Sequence, residues 1–283
     1  RTLRVLYSSL NSIWHYRLMK LHTATTGFGP DLVLLHGWGL HGGIWETLLP
    51  QLEPHFRVTV VDLPGHGHSG WQGDAGLPAF ADAVLASVPE RAAWLGWSLG
   101  GQVALQAALE QPARVSALLL LASTPSFVRR PGWQSAMLPQ LLDTFADDLA
   151  ADFERTLNRF LALQVQGSRD AGEVLRQLRG GMLRRGRPAP AALRAGLEIL
   201  RDTDLRTACA GIICPALVIA GERDTLVPAA AAAATAALLP QGEMHMVAGG
   251  GHAPFLSAPG EVALAVRNFL LPAKVCRAVD GNG

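Results

Sequence analysis

Six short apolar runs, bounded mainly by glycine and proline, constrain the fold of this chain more than any other feature. Most of the runs are continuous rather than alternating, which is typical of strands buried on both faces of a parallel sheet. Alanine-rich helical stretches such as 78–88 and 100–111 separate them. The alternation predicts an α/β fold, with a mostly parallel central sheet and helices on both faces. The runs are residues 31–37, 57–65, 92–97, 115–123, 215–221 and 243–249.

The alternation stops between about Thr124 and Thr207, where no strand-like run occurs. Amphipathic helical periodicity covers residues 141–163, 170–183 and 190–203 instead. An all-helical block between two strands of one sheet is best explained as an inserted cap.

We therefore predict a helical cap over residues 124–206, inserted into an α/β core of residues 19–123 and 207–272. Residues 1–18 lack the features of a secretory signal. Because the segment after Met19 already resembles the edge of a domain, we expect a natural start near Met19 and an N-terminal extension over residues 1–18. We expect residues 273–283 to be a flexible tail.

The composition argues against several classes of protein. Hydrophobic residues make up 49% of the 283 residues and charged residues 17%, which suits a packed core. The net charge of +1 does not favour nucleic-acid binding, and no apolar run has the roughly 20 residues of a membrane span. Cys209, Cys214 and Cys276 show no metal-binding or redox spacing. We expect a cytoplasmic monomer without metal or cofactor.

The segment Gly96-Trp97-Ser98-Leu99-Gly100 lies between an apolar run and a helical stretch. This strand–turn–helix context is the one in which Gly-x-Ser-x-Gly forms a nucleophile elbow. The turn is sharp, so its flanking positions must be small, and Gly96 and Gly100 satisfy that need. We interpret Ser98 as a nucleophile held above the sheet; the alternative is an ordinary turn serine.

A serine nucleophile needs a base, and the base needs an orienting carboxylate. In this architecture the chain order is serine, then an acid, then histidine. Asp224 and His252 follow successive predicted strands in that order, at the strand ends where sites in parallel sheets gather. We predict that His252 is the base for Ser98 and that Asp224 is the carboxylate that orients His252. The rival groups are Glu222 and Asp204 for the carboxylate and His245, inside a predicted strand, for the base.

Attack on an acyl carbon creates a negatively charged oxygen, which backbone N–H groups must stabilise. One donor is expected at Leu99, directly after the nucleophile, and a second at Trp38 in the loop after the first strand. His36 is expected to fix that loop by hydrogen bonds. The glycine-rich segment 62–69 lacks the Lys-Ser/Thr of a phosphate-binding loop, and we interpret it as a structural turn.

The segments "HGWG", "DLPGHGHS", "GWSLGG", "GERDTLVP" and "GHAPF" follow the order found in the α/β-hydrolase superfamily, which the chain resembles over roughly residues 20–271. Within it, "LLHGWGLHGGIW", "WLGWSLGG", "RTLNRFLALQVQG", "RAGLEIL" and "HAPFLSAP" resemble the pimeloyl-[acyl-carrier protein] methyl ester esterases of biotin synthesis. The resemblance implies a Ser98–Asp224–His252 triad with Trp38 and Leu99 as oxyanion donors. It implies a serine carboxylesterase that releases methanol and pimeloyl-[acyl-carrier protein].

In that family, arginines on the cap bind the acidic acyl carrier protein. Arg155, Arg159 and Arg176 match those positions. A further family arginine falls on Gly172 here, and the nearby substitutes are Arg169 and Arg179.

The charge of the cap supports an anionic partner independently. Nine arginines and two acidic residues lie between residues 155 and 194, so this stretch carries 9 − 2 = +7. A concentrated basic face attracts a partner of opposite charge, although a simple solvated face is the alternative.

Apolar side chains near the predicted nucleophile are candidates to line an acyl channel, and their other role would be core packing. Two further functions remain open. The chain could be a general short-chain carboxylesterase or carbon–carbon bond hydrolase of the same fold. It could also be a binding protein without catalysis, which the complete set of three catalytic residue types disfavours. The candidate lining residues are Trp38, Trp97, Leu99, Phe160 and Leu161.

Overall fold

The computed structural model describes residues 21–73, 76–182 and 184–271. A seven-stranded sheet forms its centre. The strands are β1 Thr23–Thr26, β2 Asp31–Leu35, β3 Arg57–Val61, β4 Ala92–Trp97, β5 Val115–Leu121, β6 Ala216–Gly221 and β7 Gly242–Val247. Their order is β1-β3-β2-β4-β5-β6-β7, with β1 antiparallel to β3 and every other pair parallel.

The six predicted apolar runs form β2 to β7, which confirms the α/β fold class. Strands β4 and β6 are buried along their whole length, which explains why their sequences are continuous apolar runs. None of the predicted runs corresponds to β1. This strand pairs at the edge of the sheet, and its sequence is Thr-Ala-Thr-Thr, so it contains no apolar run.

Helices connect the strands and pack against the sheet. Helix α2 (Leu77–Leu85) packs on α3 (Leu99–Glu110), α10 (Pro259–Leu270) packs on α1 (Leu49–Leu52), and α8 (Ala229–Leu238) contacts β6 and β7. Two short 3₁₀ turns cover Gly42–Thr47 and Ala208–Gly211. The described helices are α1 Leu49–Leu52, α2 Leu77–Leu85, α3 Leu99–Glu110, α4 Pro139–Ala151, α5 Phe153–Gln164, α6 Ala171–Met182, α7 Pro190–Asp202, α8 Ala229–Leu238, α9 Pro254–Ser257 and α10 Pro259–Leu270.

Helices α4 to α7 lie between β5 and β6, in the segment that the sequence predicts as an inserted cap. The prediction of one helix over 141–163 is wrong at its centre, because the chain breaks between α4 and α5 at Asp152. Asp152 has an extended backbone with φ of −150°, and its carboxylate accepts a hydrogen bond from the Arg155 N–H at 3.1 Å. Asp152 therefore caps α5 and starts a new helix.

The helical segment contacts the core at the elements that carry the predicted site. Helix α7 contacts α3, which begins directly after Ser98. Helix α6 contacts α9, which follows His252, and also the 3₁₀ turn at Gly42–Thr47. Helices α6 and α7 therefore lie against the elements that follow Ser98 and His252.

The predicted N-terminal extension and C-terminal tail lie outside the described residues, as does Cys276. Cys209 and Cys214 are buried free thiols. None of the helices that the structure describes combines the length and apolar character needed to cross a membrane.

Candidate active site

Ser98 occupies a sharp bend between β4 and α3. Its backbone has φ of 54° and ψ of −119°, a strained conformation for a residue with a side chain. A Cβ atom at Gly96 would collide with the Gly100 carbonyl, and one at Gly100 would lie 2.5 Å from the Leu35 carbonyl. The two glycines therefore allow the close approach of strand, loop and helix that the elbow requires.

Ser98, His252 and Asp224 form a continuous hydrogen-bond chain. The Ser98 hydroxyl lies 2.9 Å from His252 Nε2, and His252 Nδ1 lies 2.8 Å from Asp224 Oδ2. Asp224 Oδ1 accepts hydrogen bonds from the N–H groups of Leu226 and Val227 at 2.8 and 2.9 Å. Because both carboxylate oxygens are acceptors, Nδ1 is the protonated nitrogen and Nε2 is free to accept the serine proton.

The backbone of His252 is fixed on both sides. Its N–H donates to the Gln164 carbonyl at the end of α5, at 3.0 Å. Its carbonyl accepts from the Trp97 indole N–H at 2.7 Å. Helix α5 and strand β4 therefore both hold the loop that carries the histidine. These two contacts set the position of the imidazole relative to Ser98.

Two backbone N–H groups next to Ser98 are available to a ligand. Leu99 is the first residue of α3, so its N–H has no acceptor within the helix. The Trp38 N–H also donates to no acceptor among the described residues. The loop passes close to the nucleophile, because a Cβ at Gly37 would lie 3.3 Å from Ser98 Cβ. The geometry is compatible with the predicted oxyanion donors.

All five candidate lining residues are buried. Trp38 and Phe160 are in edge-to-face contact, with ring centroids 4.6 Å apart, while Leu99 and Leu161 belong to the same hydrophobic core. Trp97 packs against Phe255 and Trp45, and its indole supports the His252 carbonyl. This placement favours a supporting role for Trp97 over the lining role expected from the sequence.

The rival groups have other partners. Glu222 accepts a hydrogen bond from the Gly249 N–H at 2.8 Å, in the turn before His252. Asp204 pairs with Arg206, and His245 lies 3.2 Å from Glu261. No group of three potential metal ligands occurs among the residues that the structure describes.

Two buried histidines join the Trp38 loop to the loop after β3. His36 Nε2 accepts from the Leu63 N–H at 2.9 Å, and His36 Nδ1 donates to the Gly37 carbonyl at 2.8 Å. His66 Nδ1 donates to the Pro64 carbonyl at 2.9 Å, while its Nε2 faces the Gly39 N–H at 3.4 Å. Each ring is thus held neutral. Burial lowers the pKa of His36 to about 3, with the neighbouring His66 adding to the shift, and burial lowers the pKa of His66 to about 4.

These two histidines predict how stability depends on pH. Between about pH 6.5 and 4, His36 and His66 become protonated in the unfolded chain but stay neutral in the native protein. The free energy of unfolding therefore falls as the pH is lowered. The two groups should together contribute up to about 2.7 kcal/mol per pH unit to the slope, about 1.36 each. The His66 contribution ends near pH 4 and that of His36 near pH 3. Denaturant unfolding at a series of pH values measures this pH dependence, and His66→Gln should lower its slope. An equal slope in the parent and the variant would contradict a contribution from His66.

A buried carboxylate that the sequence analysis did not single out lies behind the Trp38 loop. Asp62 accepts hydrogen bonds from the N–H groups of Gly42 at 2.7 Å and His68 at 2.9 Å. Arg185, after α6, donates to both of its oxygens at 3.1 and 3.2 Å. Burial would raise the pKa of Asp62, but these N–H groups and the charges around it hold the pKa below its ordinary value. The helical segment thus supplies the counter-charge for an acid of the core.

The predicted basic face is partly neutralised by acidic residues that lie outside residues 155–194. Arg155, Arg169, Arg179 and Arg194 are exposed and form no ion pair with any described residue. The sum of +7 therefore overstates the free positive charge. Four pairs use acids outside residues 155–194, namely Arg159–Asp148, Arg184–Glu46, Arg185–Asp62 and Arg187–Glu154, while Arg176 pairs with Glu173 inside that stretch.

A hydrogen-bonded serine, histidine and aspartate at the carboxyl end of a mostly parallel sheet is the arrangement that serine hydrolases use. The family model described as "alpha/beta hydrolase fold" matches residues 30–259, and the chain belongs to the α/β hydrolase family.

The most informative relatives are curated esterases. The chain is 46% identical over 253 residues to "Pimeloyl-[acyl-carrier protein] methyl ester esterase" of Xylella fastidiosa (strain M12), covering 88% of this chain and 98% of the relative. It is 47% identical over 251 residues to the protein of the same name from Xanthomonas campestris pv. campestris (strain B100), with the same coverage. The chain is accordingly a carboxylic ester hydrolase.

Solved structures share the fold. An esterase from Exiguobacterium antarcticum superposes with a TM-score of 0.78 at 21% identity, covering 88% of this chain and 95% of that one. A hydrolase from Oleispira antarctica gives a TM-score of 0.81 at 20% identity, covering 91% and 97%.

Proposed function

We propose that this chain hydrolyses the methyl ester of pimeloyl-[acyl-carrier protein], giving pimeloyl-[acyl-carrier protein] and methanol. The observation that carries the chemistry is the Ser98–His252–Asp224 hydrogen-bond chain, with distances of 2.9 and 2.8 Å. The substrate is supported by relatives of 46% and 47% identity over 88% of the chain. The sequence resemblance implies a place for this reaction in biotin synthesis.

In the first half-reaction, Ser98 Oγ attacks the ester carbonyl carbon while His252 Nε2 takes the hydroxyl proton. The carbonyl π electrons move to the oxygen, which the N–H groups of Trp38 and Leu99 stabilise. The tetrahedral species collapses, the bond to the methoxy group breaks, and His252 returns the proton so that methanol leaves.

In the second half-reaction, water attacks the acyl-serine. His252 Nε2 again accepts a proton, the same N–H groups stabilise the oxyanion, and the bond to Ser98 Oγ breaks. The proton passes to Ser98, and the free acid leaves. Asp224 stays ionised throughout and stabilises the imidazolium that forms in each half.

The carrier protein would dock on the helical segment. Arg155 and Arg159 lie one turn apart on α5, and Arg176 lies on the neighbouring α6. All three are exposed, although Arg159 and Arg176 each pair with an acid of this chain. The next turns of α5 carry Phe160 and Gln164, which contact Trp38 and the His252 loop. One helix therefore carries part of the docking face and also contacts the loops that bear Trp38 and His252.

A comparison of substrates tests the proposed function. Purified protein is assayed with the pimeloyl-carrier methyl ester, free dimethyl pimelate and p-nitrophenyl butyrate. We expect the highest kcat/KM for the carrier-linked ester. Equal or lower kcat/KM for that ester than for the free diester would favour a general short-chain carboxylesterase.

Reversing the charge of the docking face should weaken use of the carrier. We expect the triple variant Arg155→Glu, Arg159→Glu, Arg176→Glu to raise KM for the carrier-linked ester by at least about 10-fold. Each exposed pair alone is worth only about 0–1 kcal/mol, so the three are changed together. The effect should weaken with added salt, because the screening length is about 10 Å at 0.1 M.

The controls separate docking from chemistry. Hydrolysis of p-nitrophenyl butyrate by the triple variant should change little, because that ester does not reach the cap surface. Arg91→Glu, just before β4 at the amino end of the sheet, reverses an exposed charge away from the helical segment and should leave both substrates unaffected. Equal losses on both substrates would indicate damage to the cap, and no loss on either would remove the docking assignment.

A further inference from the structure

The Trp38 side chain packs against the helical segment. Its indole N–H donates to the Leu193 carbonyl, in the first half of α7, at 2.7 Å. The ring meets Phe160 of α5 edge to face, and only 1% of the residue is exposed. The residue whose backbone is the expected oxyanion donor is therefore anchored, through its side chain, to two helices outside the core.

Helix α7 contains a glycine at the point where it meets this indole. A Cβ at Gly196 would lie 2.6 Å from Trp38 Cδ1 and 3.3 Å from Leu99 Cδ2. One turn of α7 thus contacts the side chains of both expected oxyanion donors. Because a helix interior disfavours glycine by roughly 1 kcal/mol relative to alanine, the close approach is the physical reason for a glycine here.

The loop around Trp38 needs such an anchor. Trp38 lies between Gly37 and Gly39, and Gly39 has φ of 74°, so the backbone on either side is intrinsically permissive. His36 and His66 hold the flanks of the loop, but the Trp38 N–H itself has no backbone partner among the described residues. An oxyanion donor must lie within about 2.7–3.1 Å of the developing charge. A small shift of the loop is enough to remove that contact.

We propose that the Trp38 indole is a positioning residue: its hydrogen bond to the Leu193 carbonyl, seated against Gly196, sets the position of the Trp38 N–H, so that α7 completes the oxyanion hole. This inference rests on the proposed function for the identity of the reacting serine and the oxyanion donors. It assigns the buried indole a role in turnover rather than in substrate affinity.

Trp38→Phe tests the hydrogen bond, because phenylalanine keeps an aromatic ring against Phe160 and keeps the backbone N–H. With p-nitrophenyl butyrate, kcat should fall about 10- to 100-fold with KM nearly unchanged; complete loss of one oxyanion donor costs about 100- to 1000-fold. Affinity for an alkylboronic acid, which places an oxygen in the oxyanion hole, should fall in parallel with kcat/KM. Titration of Ser98 with a fluorophosphonate normalises the rates to folded, competent protein.

Gly196→Ala tests the contact between α7 and the indole without changing Trp38 itself. The added methyl group displaces Trp38 and Leu99, so kcat and boronate affinity should again fall together. Gly180→Ala, at an exposed position of α6, is the matched control, because a Cβ there meets nothing within 4 Å. This control should keep parental kinetics.

The outcomes separate the possible roles. A loss of kcat per titrated serine in both variants, with KM unchanged, supports the positioning role. A rise in KM with unchanged kcat would identify Trp38 as a residue that lines the substrate site. A kcat that equals the parental value once it is normalised to titrated Ser98 would mean that Trp38 serves only folding. Either result overturns the inference. Failure of the parent on the carrier-linked ester would overturn the proposed substrate only, because these measurements use a small free ester.

Discussion

Ser98→Ala is expected to lower kcat by on the order of a million-fold, the loss measured for a comparable catalytic serine, while the protein stays folded. The side chain contributes the attacking oxygen, and without it His252 Nε2 has no hydroxyl to deprotonate. Ser98 is only 3% exposed and its strained backbone is compatible with alanine no less than with serine, so the change removes one oxygen and little packing. Hydrolysis of p-nitrophenyl butyrate measures the loss.

Ser116→Ala is the matched control for this prediction, because Ser116 lies near the amino end of β5, at the opposite edge of the sheet. It should keep parental activity. Thermal unfolding of both variants checks that the fold is retained. Residual activity of Ser98→Ala above about one per cent would place the nucleophile elsewhere, since a triad without its serine retains far less.

Asp224→Asn is expected to lower kcat by about 10⁴-fold, as in a comparable triad. The N–H groups of Leu226 and Val227 would keep the amide oxygen facing them, which turns the amide NH₂ towards His252 Nδ1. Nδ1 must then accept, so the ring carries its proton on Nε2. In that tautomer His252 cannot take the proton of Ser98.

Glu222→Gln is the control, because its carboxylate reaches the Gly249 N–H and a glutamine oxygen can accept the same hydrogen bond. We expect activity within about 3-fold of the parent, as for substitutions away from the reacting groups. The opposite pattern, with Glu222→Gln inactive and Asp224→Asn active, would exchange the two roles. Steady-state rates of both variants on one small ester are sufficient.

The strands and the hydrogen-bonded triad could be predicted because they depend on local sequence. Ser98 follows β4 directly, and Asp224 and His252 follow the ends of β6 and β7 by three and five residues. In a parallel sheet these strand ends meet at one edge, so chain order and strand position were enough to identify the three side chains. The break at Asp152 was missed because acidic and apolar residues continue through it in helical register.

The supporting contacts could not be predicted, because their partners are remote in the chain. The indoles of Trp38 and Trp97 each donate to a carbonyl 155 positions away, and Arg185 reaches Asp62 across 123 positions. The sequence shows a tryptophan next to a catalytic motif, but not where its N–H points. The same limit applies to the arginines, since the acids that pair with Arg159 and Arg184 lie outside the basic stretch.

The contact between Arg185 and Asp62 restricts how substrate can enter. Lifting the α6–α7 junction off the core would leave a fully buried carboxylate without its guanidinium, at a penalty of about 3–5 kcal/mol. Such an open form would account for less than about one molecule in a hundred. We therefore expect slow hydrogen exchange at the Gly42 and His68 amides, which donate to this carboxylate. The junction therefore stays closed on the core, and substrate must reach Ser98 by a route that leaves this contact intact.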